Sequence, residues 1–372
     1  MRILKILLKI MLVFVVIVVF FVAGVAIFMY TSPQFGGKPS AERLKEIKAS
    51  PNFKDGVFQN QIETIMDMSL SKMPDLLREQ FFGKQVRSPE KSHPVKWDEG
   101  NANQVDSLVY VTWFGHSAFL IEMEGKRILL DPMLGGASAP VSFLTKRFKY
   151  DLPIDLDDIK DIDAVIISHD HYDHLDYPTI DKIKGEVKHF YTALAVGEHL
   201  KRWGVPAENV TEMDWGQSIK LGDLEIVCTP SRHFSGRGFS DRNKTQWASW
   251  ALLGKNRKVY FSGDSGYGPH FKTIGEQYGP FDFAFIECGQ YNERWSAIHM
   301  FPEESVQANI DVNSKVMMPI HWGAFNLSLH DWRDPIQRAR KAADEKGVKV
   351  VNPYIGERFE ISQEDISEPW WE

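Results

Sequence analysis

The run His169-Asp170-His171-Tyr172-Asp173-His174 gathers three imidazoles and two carboxylates into six residues. In an extended loop, residues two apart face the same way, so His169 and His171 can aim two imidazoles at one cation. Asp173 and His174, half a turn further on, can reach a second ion beside it. Neutral imidazole and carboxylate oxygen are suitable zinc ligands. The two cysteines, Cys228 and Cys288, form no CxxC pair. Neither a thiolate zinc site nor a disulfide scaffold is therefore available, although a single Cys228–Cys288 bond in an exported domain stays open.

Two four-coordinate metals need more ligands, and the chain offers them after apolar runs. His233 follows Cys228-Thr229-Pro230, Asp264 lies in Ser262-Gly263-Asp264-Ser265-Gly266, and His321 follows Met317-Met318-Pro319-Ile320. The expected set is His169, His171 and His233 on one ion and Asp173, His174 and His321 on the other. Asp264 bridges them, because small neighbours leave room for its carboxylate. A lone His233 or His321 would read as a satisfied, partly buried side chain. It is their shared position at strand ends that favours metal binding. The cofactor expected is a pair of Zn2+ ions, with another divalent metal compatible.

The elements that must position these residues begin near residue 108. Short apolar runs at 109–113, 118–123 and 127–131, the last two joined by Glu124-Gly125-Lys126, read as a strand meander. Residues 163–168 form a buried strand ending at His169, and a helix begins near Tyr177. Further strands are expected at 224–229, 250–253, 258–262, 283–287, 316–320 and 348–351. Helices are expected at 303–309 and 335–346. Strands interleaved with helices indicate a layered α/β domain, with its site in the loops at one sheet end.

Upstream, residues 10–30 carry no charge and follow Arg2, Lys5 and Lys9. A helix over that stretch spans roughly 31 Å, enough to cross a bilayer core. A retained single-pass anchor is the reading adopted. A cleaved signal ending near Gly24-Val25-Ala26 and a buried core helix are its alternatives. Lys38, Arg43 and Lys45 follow the span closely, so the asymmetry of positive charge is weak. It points to a cytoplasmic N-terminus with the bulk of the chain on the extracytoplasmic side. Residues 31–39 read as a Pro/Gly-rich linker. Over 40–83 the three- and four-residue spacing of Ile62, Ile65, Met66, Leu70, Met73 and Leu77 predicts helices, with Pro74 dividing the run in two. Residues 84–107 read as polar connection. The expected organisation is thus 1–30 anchor, 31–107 linker and helical extension, 108–362 catalytic domain, and 363–372 tail. With 50 acidic against 43 basic residues the 372-residue chain carries −7. That balance argues against nucleic acid as a partner.

Together with Asp131, the metal motif resembles that of the metallo-β-lactamase superfamily. Within it, Trp113-Phe114-Gly115-His116-Ser117, Leu130-Asp131-Pro132, Asp241-Arg242-Asn243-Lys244, Gly263-Asp264-Ser265-Gly266-Tyr267 and Ile320-His321-Trp322-Gly323 look like N-acyl-phosphatidylethanolamine-hydrolysing phospholipase D. So does Arg294-Trp295 followed by His299 and Pro302-Glu303-Glu304. The likeness covers roughly 108–343; the hydrophobic anchor and helical extension depart from it. It implies a four-layer αββα sandwich preceded by the N-terminal transmembrane helix, and Asp131 beneath the metals orienting a ligand. It also implies His299 above them as acid or transition-state donor, so that the catalytic set is Asp131, His299 and Asp264. His116 stays open between lining the site and supporting it. His93, His189, His199, His270 and His330 are read as surface or core residues.

The function expected is a membrane-anchored dinuclear zinc phosphodiesterase of phospholipase D type. It would act on a bilayer phospholipid through a hydroxide shared by the metals. A zinc hydrolase of a soluble ester, lactone or phosphodiester shares the same motif. A non-enzymatic membrane-tethered metal-binding scaffold is disfavoured by the full ligand set. Partners expected are the phospholipid and the membrane, with a homodimer left open.

Overall fold

The computed structural model describes residues 2–67, 69, 71–97, 107–363 and 368–372. Two seven-stranded sheets form its centre. The first runs Arg358–Glu360, Tyr110–Trp113, Phe119–Met123, Lys126–Leu130, Ala164–Ile167, His189–Ala193, Val210–Met213. Its first four strands pair antiparallel and the rest parallel. The second runs Ser218–Leu221, Leu224–Thr229, Ser249–Leu253, Lys258–Phe261, Phe283–Glu287, Val316–Ile320, Lys349–Val350. It repeats the pattern, with antiparallel strands up to Lys258–Phe261 and parallel ones after it. The short Ser218–Leu221 alternates exposed with half-buried residues, and Arg358–Glu360 exists by pairing with Tyr110–Trp113 from the far end of the domain.

Strand periodicity explains how the layers stack. In Phe283–Glu287 every residue is buried, because alternate side chains meet different partners. Phe283 and Phe285 enter the core between the sheets, where the Phe285 ring lies 4.3 Å from that of Phe119. Ala284 and Ile286 face the outer helices, packing with Phe271 of His270–Tyr278, Val306 of Pro302–Asp311 and Ala343 of Asp334–Lys346. Tyr177–Ile183 and Gly197–Arg202 bring Ile180 and Leu200 into the main core. The result is the αββα sandwich. Asp334–Lys346 opens with Pro335 in its first turn and closes on Gly347 at φ 66°, the left-handed stop that glycine adopts without steric cost.

Arg2–Thr31 is one helix of 30 residues with no buried side chain and a mean hydropathy of 3.3 over its most apolar stretch. The last turn of this helix and the segment expected as a Pro/Gly-rich linker are hydrogen-bonded to the rest of the chain. Arg202 donates to the Tyr30 carbonyl at 3.1 Å, Trp203 Nε1 to that of Pro33 at 2.7 Å, and Arg237 to that of Gln34 at 2.7 Å. Gly37 N–H donates to His199 Nδ1 at 2.9 Å. The helical extension is also sparser than expected. Ala41–Ile47 and Met73–Phe82 are helices, whereas 61–67 is not helical. Pro74 sits in the first turn of Met73–Phe82, where its missing N–H costs nothing, so it starts a helix rather than dividing one. Leu70 and residues 98–106 of the expected connection at 84–107 lie outside the described residues. At the C-terminus, Trp370 stacks on Trp322 (ring centroids 5.4 Å apart) and Trp371 is buried, so the end of the expected tail is packed.

Candidate metal centre

Both sheets send the loops that carry the expected ligands and their supporting residues to the same place. From the first come His116 after Tyr110–Trp113, Asp131 after Lys126–Leu130, and 168–174 after Ala164–Ile167. From the second come His233 after Leu224–Thr229, Asp264 after Lys258–Phe261, Glu287 at the end of its strand, and His321 after Val316–Ile320. Backbone strain concentrates here. His116, Asp131 and His321 have φ of 55°, 38° and 69°, left-handed values that non-glycine residues hold only when the surroundings impose them. Gly263, at φ 55°, has no room for a side chain: a Cβ would lie 2.6 Å from the Ala248 carbonyl oxygen.

Two groups of ligand atoms result. In the first, His171 Nδ1 lies 2.9 Å from His169 Nε2 and 3.2 Å from His233 Nε2. Asp264 Oδ2 stands 3.7 Å from the Nε2 atoms of both His169 and His233. In the second, Asp173 Oδ2 is 3.4 Å from His174 Nε2 and 3.9 Å from His321 Nε2. Asp264 faces this group too, with Oδ2 3.1 Å from His174 Nε2 and Oδ1 3.1 Å from His321 Nδ1. All seven residues expected as ligands are therefore together, and Asp264 lies between the two groups. His116 joins the second, with its Nε2 2.8 Å from Asp173 Oδ2.

Outer hydrogen bonds set which imidazole nitrogen is available. His233 Nδ1 donates to the Ile298 carbonyl at 3.0 Å, and His169 Nδ1 pairs with Ser168 Oγ at 2.9 Å. His174 Nδ1 meets Asp131 Oδ2 at 2.7 Å. In each case Nε2 is left pointing at the cluster, an arrangement suited to metal ligation. Asp131 also accepts from Ser168 N–H at 2.7 Å, and so holds the start of the ligand loop.

The electrostatics fit divalent cations. Burial, aided by neighbouring imidazoles, holds His169, His233 and His321 well below the usual histidine range, and burial brings His171 to about 4. These side chains present lone pairs rather than protons at neutral pH. His174 differs: burial opposes its charge, but Asp264, Asp173 and Asp131 outweigh it and raise its pKa well above the ordinary value. Burial pushes Asp264 up to about 6. His174 Nε2 and Asp264 Oδ1 are buried without a hydrogen-bond partner. Such orphaned polar atoms are costly unless something not made of protein satisfies them, and a bound cation would.

The cluster opens into a cleft of about 520 Å³ lined by His171, Asp173, Asp264, His299 and His321 on one side. Met66, Phe234, Trp295, Ile298 and Leu327 supply apolar walls, and Arg242 adds a cation. The His299 ring lies parallel to that of His321, 5.1 Å away. Its Nδ1 is 3.1 Å from Oε2 of the fully buried Glu287, whose other oxygen accepts from Met300 N–H at 2.7 Å.

Three residues escaped the sequence reading. Glu287 ends an apolar strand just as Asp131 follows one, and that shared signature could have flagged it. Asn60 accepts from His233 N–H at 3.1 Å and donates to its carbonyl at 2.8 Å, a long-range brace with no local signal. His199, read as surface or core, is buried and joins Gly37 to Asp170, which lies between His169 and His171.

A family model described as a beta-lactamase superfamily domain matches residues 126–322. The chain belongs to that superfamily. An uncharacterized protein of Mycobacterium tuberculosis is 38% identical over 349 residues, 92% of this chain and 93% of the relative. N-acyl-phosphatidylethanolamine-hydrolyzing phospholipase D 1 of Caenorhabditis elegans is 34% identical over 275 residues, 69% of this chain and 77% of the relative. Among solved structures, the metallo hydrolase Igni18 of Ignicoccus hospitalis superposes with a TM-score of 0.52 at 24% identity, covering 68% of this chain and 97% of that one. Superfamily membership and the His/Asp cluster together make the chain a metal-dependent hydrolase.

Proposed function

We propose that the chain is a membrane-anchored, zinc-dependent phosphodiesterase of phospholipase D type, acting on N-acyl-phosphatidylethanolamine-like lipids. One observation carries this reading. A buried two-group cluster of potential metal ligands opens into an apolar-walled cleft, in a chain whose 30-residue apolar helix is followed at once by Gln34, hydrogen-bonded to Arg237 of the 234–242 loop that lines that cleft. The name of the Caenorhabditis elegans relative supports the same substrate class.

His169, His171 and His233 would hold one ion, Asp173, His174 and His321 the other, and Asp264 both. When bound, two zinc ions supply an acidified water and charge stabilisation at the phosphoryl oxygens. Asp131 keeps His174 Nε2 turned inward. His299, over the cluster, donates a hydrogen bond to the phosphate as negative charge builds up there. Met66, Phe234, Ile298 and Leu327 receive acyl chains and keep bulk water from the reacting phosphate. Water adds to phosphorus, and the bond between phosphorus and the ethanolamine oxygen breaks. Phosphatidic acid and an N-acylethanolamine leave. The domain lies on the extracytoplasmic face, following the charge cluster before the helix.

Mass spectrometry of products from N-acyl-phosphatidylethanolamine vesicles tests this reading, using zinc-loaded protein with Asp264→Asn as control. Both products should appear with the wild type and neither with the variant. Intact lipid together with hydrolysis of a soluble ester would replace the lipid reading.

A further inference from the structure

The loop 234–242 runs from the metal cleft to the end of the apolar helix. Phe234 and Arg242, at its two roots, line the cleft, with the Arg242 guanidinium 4.2 Å from the Phe234 ring centroid. Its tip, Phe239, is 89% exposed, although aromatic side chains are ordinarily buried. Beside the tip, a Cβ placed on Gly238 would lie 3.2 Å from Met29 Cε, near the C-terminal end of the helix Arg2–Thr31. The loop is held firmly behind this tip. Asp241 accepts from the N–H groups of Arg237 and Gly238 at 3.1 and 2.8 Å, and Gly236 N–H donates to Asp170 at 2.8 Å. The buried Arg237 side chain donates to the Gln34 carbonyl at 2.7 Å and to that of Asp170 at 2.6 Å. An exposed aromatic on a braced loop, against the end of an apolar helix, has the form of an interfacial anchor. A Phe ring on such a segment gains by burying its apolar surface at the headgroup/acyl boundary, out of water.

We infer that loop 234–242 is a second membrane contact, whose tip Phe239 enters the headgroup region of the bilayer that holds Arg2–Thr31. Its roots thereby keep the rim of the metal cleft against the lipid surface. The inference rests on reading Arg2–Thr31 as a membrane span, and it deepens the proposed function by stating how lipid reaches the site. The same bilayer contacts helix and loop, because Met29 and Gly238 are neighbours. A second copy of the chain could cover Phe239 as well, but it would have to meet the span's end inside the interface.

The test uses the full chain in phosphatidylcholine nanodiscs. Cys228 and Cys288 are fully buried, so an environment-sensitive maleimide labels only a cysteine introduced on the surface. Phe239→Cys and Ile17→Cys are labelled separately and exposed to lipids carrying a doxyl quencher near the headgroup or at mid-chain. The expected result at 239 is quenching about two-fold stronger by the shallow quencher than by the deep one, with the reverse order at 17. Quenching at 17 without quenching at 239 would overturn the loop contact and leave the span standing. A blue-shifted label at 239 that no doxyl group reaches would place protein against the loop, and would overturn it too. Quenching at neither position would overturn the span and the loop contact together.

Discussion

Asp131 and His174, both fully buried, face each other across 2.7 Å from Oδ2 to Nδ1, and this contact fixes the direction of His174 Nε2. The carboxylate can only accept, so Nδ1 must carry the proton and Nε2 is presented to Asp173 and Asp264.

Replacing Asp131 with Asn offers Nδ1 an amide donor and undoes that choice. Metal affinity of the group containing His174 should fall about 10- to 100-fold, with the other group little changed. Metal titration monitored by elemental analysis of the equilibrated protein would show one tight and one weak site. Two sites of wild-type affinity would remove Asp131 from the role of orienting His174.

Metal uptake should depend on pH in two steps. A metal entering the cluster displaces the proton that the surrounding carboxylates hold on His174, and, below about 6, the proton that burial holds on Asp264. Protons compete, so affinity rises with pH. It should change about tenfold per pH unit above pH 6 and about a hundredfold per unit below it. His171, with a pKa of about 4, does not compete in this range. Chelator competition between pH 5 and 7 measures both slopes, and a single slope of one throughout would remove Asp264 from the proton count.

Two histidines outside the cluster should make the fold acid-sensitive. Burial lowers His93 to about 4 and His270 to about 3, so the unfolded chain binds protons that the folded one refuses. Their contribution is intact above the ordinary value of about 6.5 and is lost as pH falls toward 4, at about 1.4 kcal/mol per pH unit for each group. His93→Phe should flatten the decline in Tm below pH 6, because the ring already lies 4.8 Å from that of Trp332 and needs no charge there. An unchanged slope would place the acid sensitivity elsewhere.

Glu287 should behave as a neutral hydrogen-bonding group. Burial raises its pKa well above the carboxylate range while burial lowers that of His299. A protonated carboxyl donates to Nδ1 and leaves Nε2–H for the phosphate. Glu287→Gln, which can still donate, should keep kcat within about threefold. Glu287→Leu, which leaves His299 and the Met300 N–H unpaired, should lower kcat about 10- to 100-fold with KM little changed. Equal losses in the two variants would show that the ionised form is required.

The residues that gather in the buried His/Asp cluster could be picked out from the chain because they lie just after short apolar runs, and a strand that ends in a polar group shows in a window of ten residues. Asn60 and Glu287 act through partners far away in sequence, and no local pattern announces a brace. A similar distinction separates some of the elements found from some of those missed. Ala164–Ile167 and Phe283–Glu287 are apolar enough to stand out, whereas Ser218–Leu221 and Arg358–Glu360 are mixed and gain their form from pairing. The apolar spacing through 62–77 misled because it suits a helix, yet 61–67 is held elsewhere, with Asp67 N–H bonded to the Arg294 carbonyl and Met66 turned to the cleft. Linker composition at 31–39 described what residues allow, not what Trp203, Arg237 and His199 do with their carbonyls and N–H groups.

Those bonds to residues 30–37 deny the catalytic domain a swinging tether. With the helix seated in a bilayer, the cleft samples a fixed, thin slab above one leaflet. On the proposed function, turnover then tracks the mole fraction of lipid substrate within that surface. Diluting the substrate with inert lipid would slow the protein, whereas diluting the whole suspension with buffer would not. Lateral diffusion, rather than collision from solution, becomes the supply line.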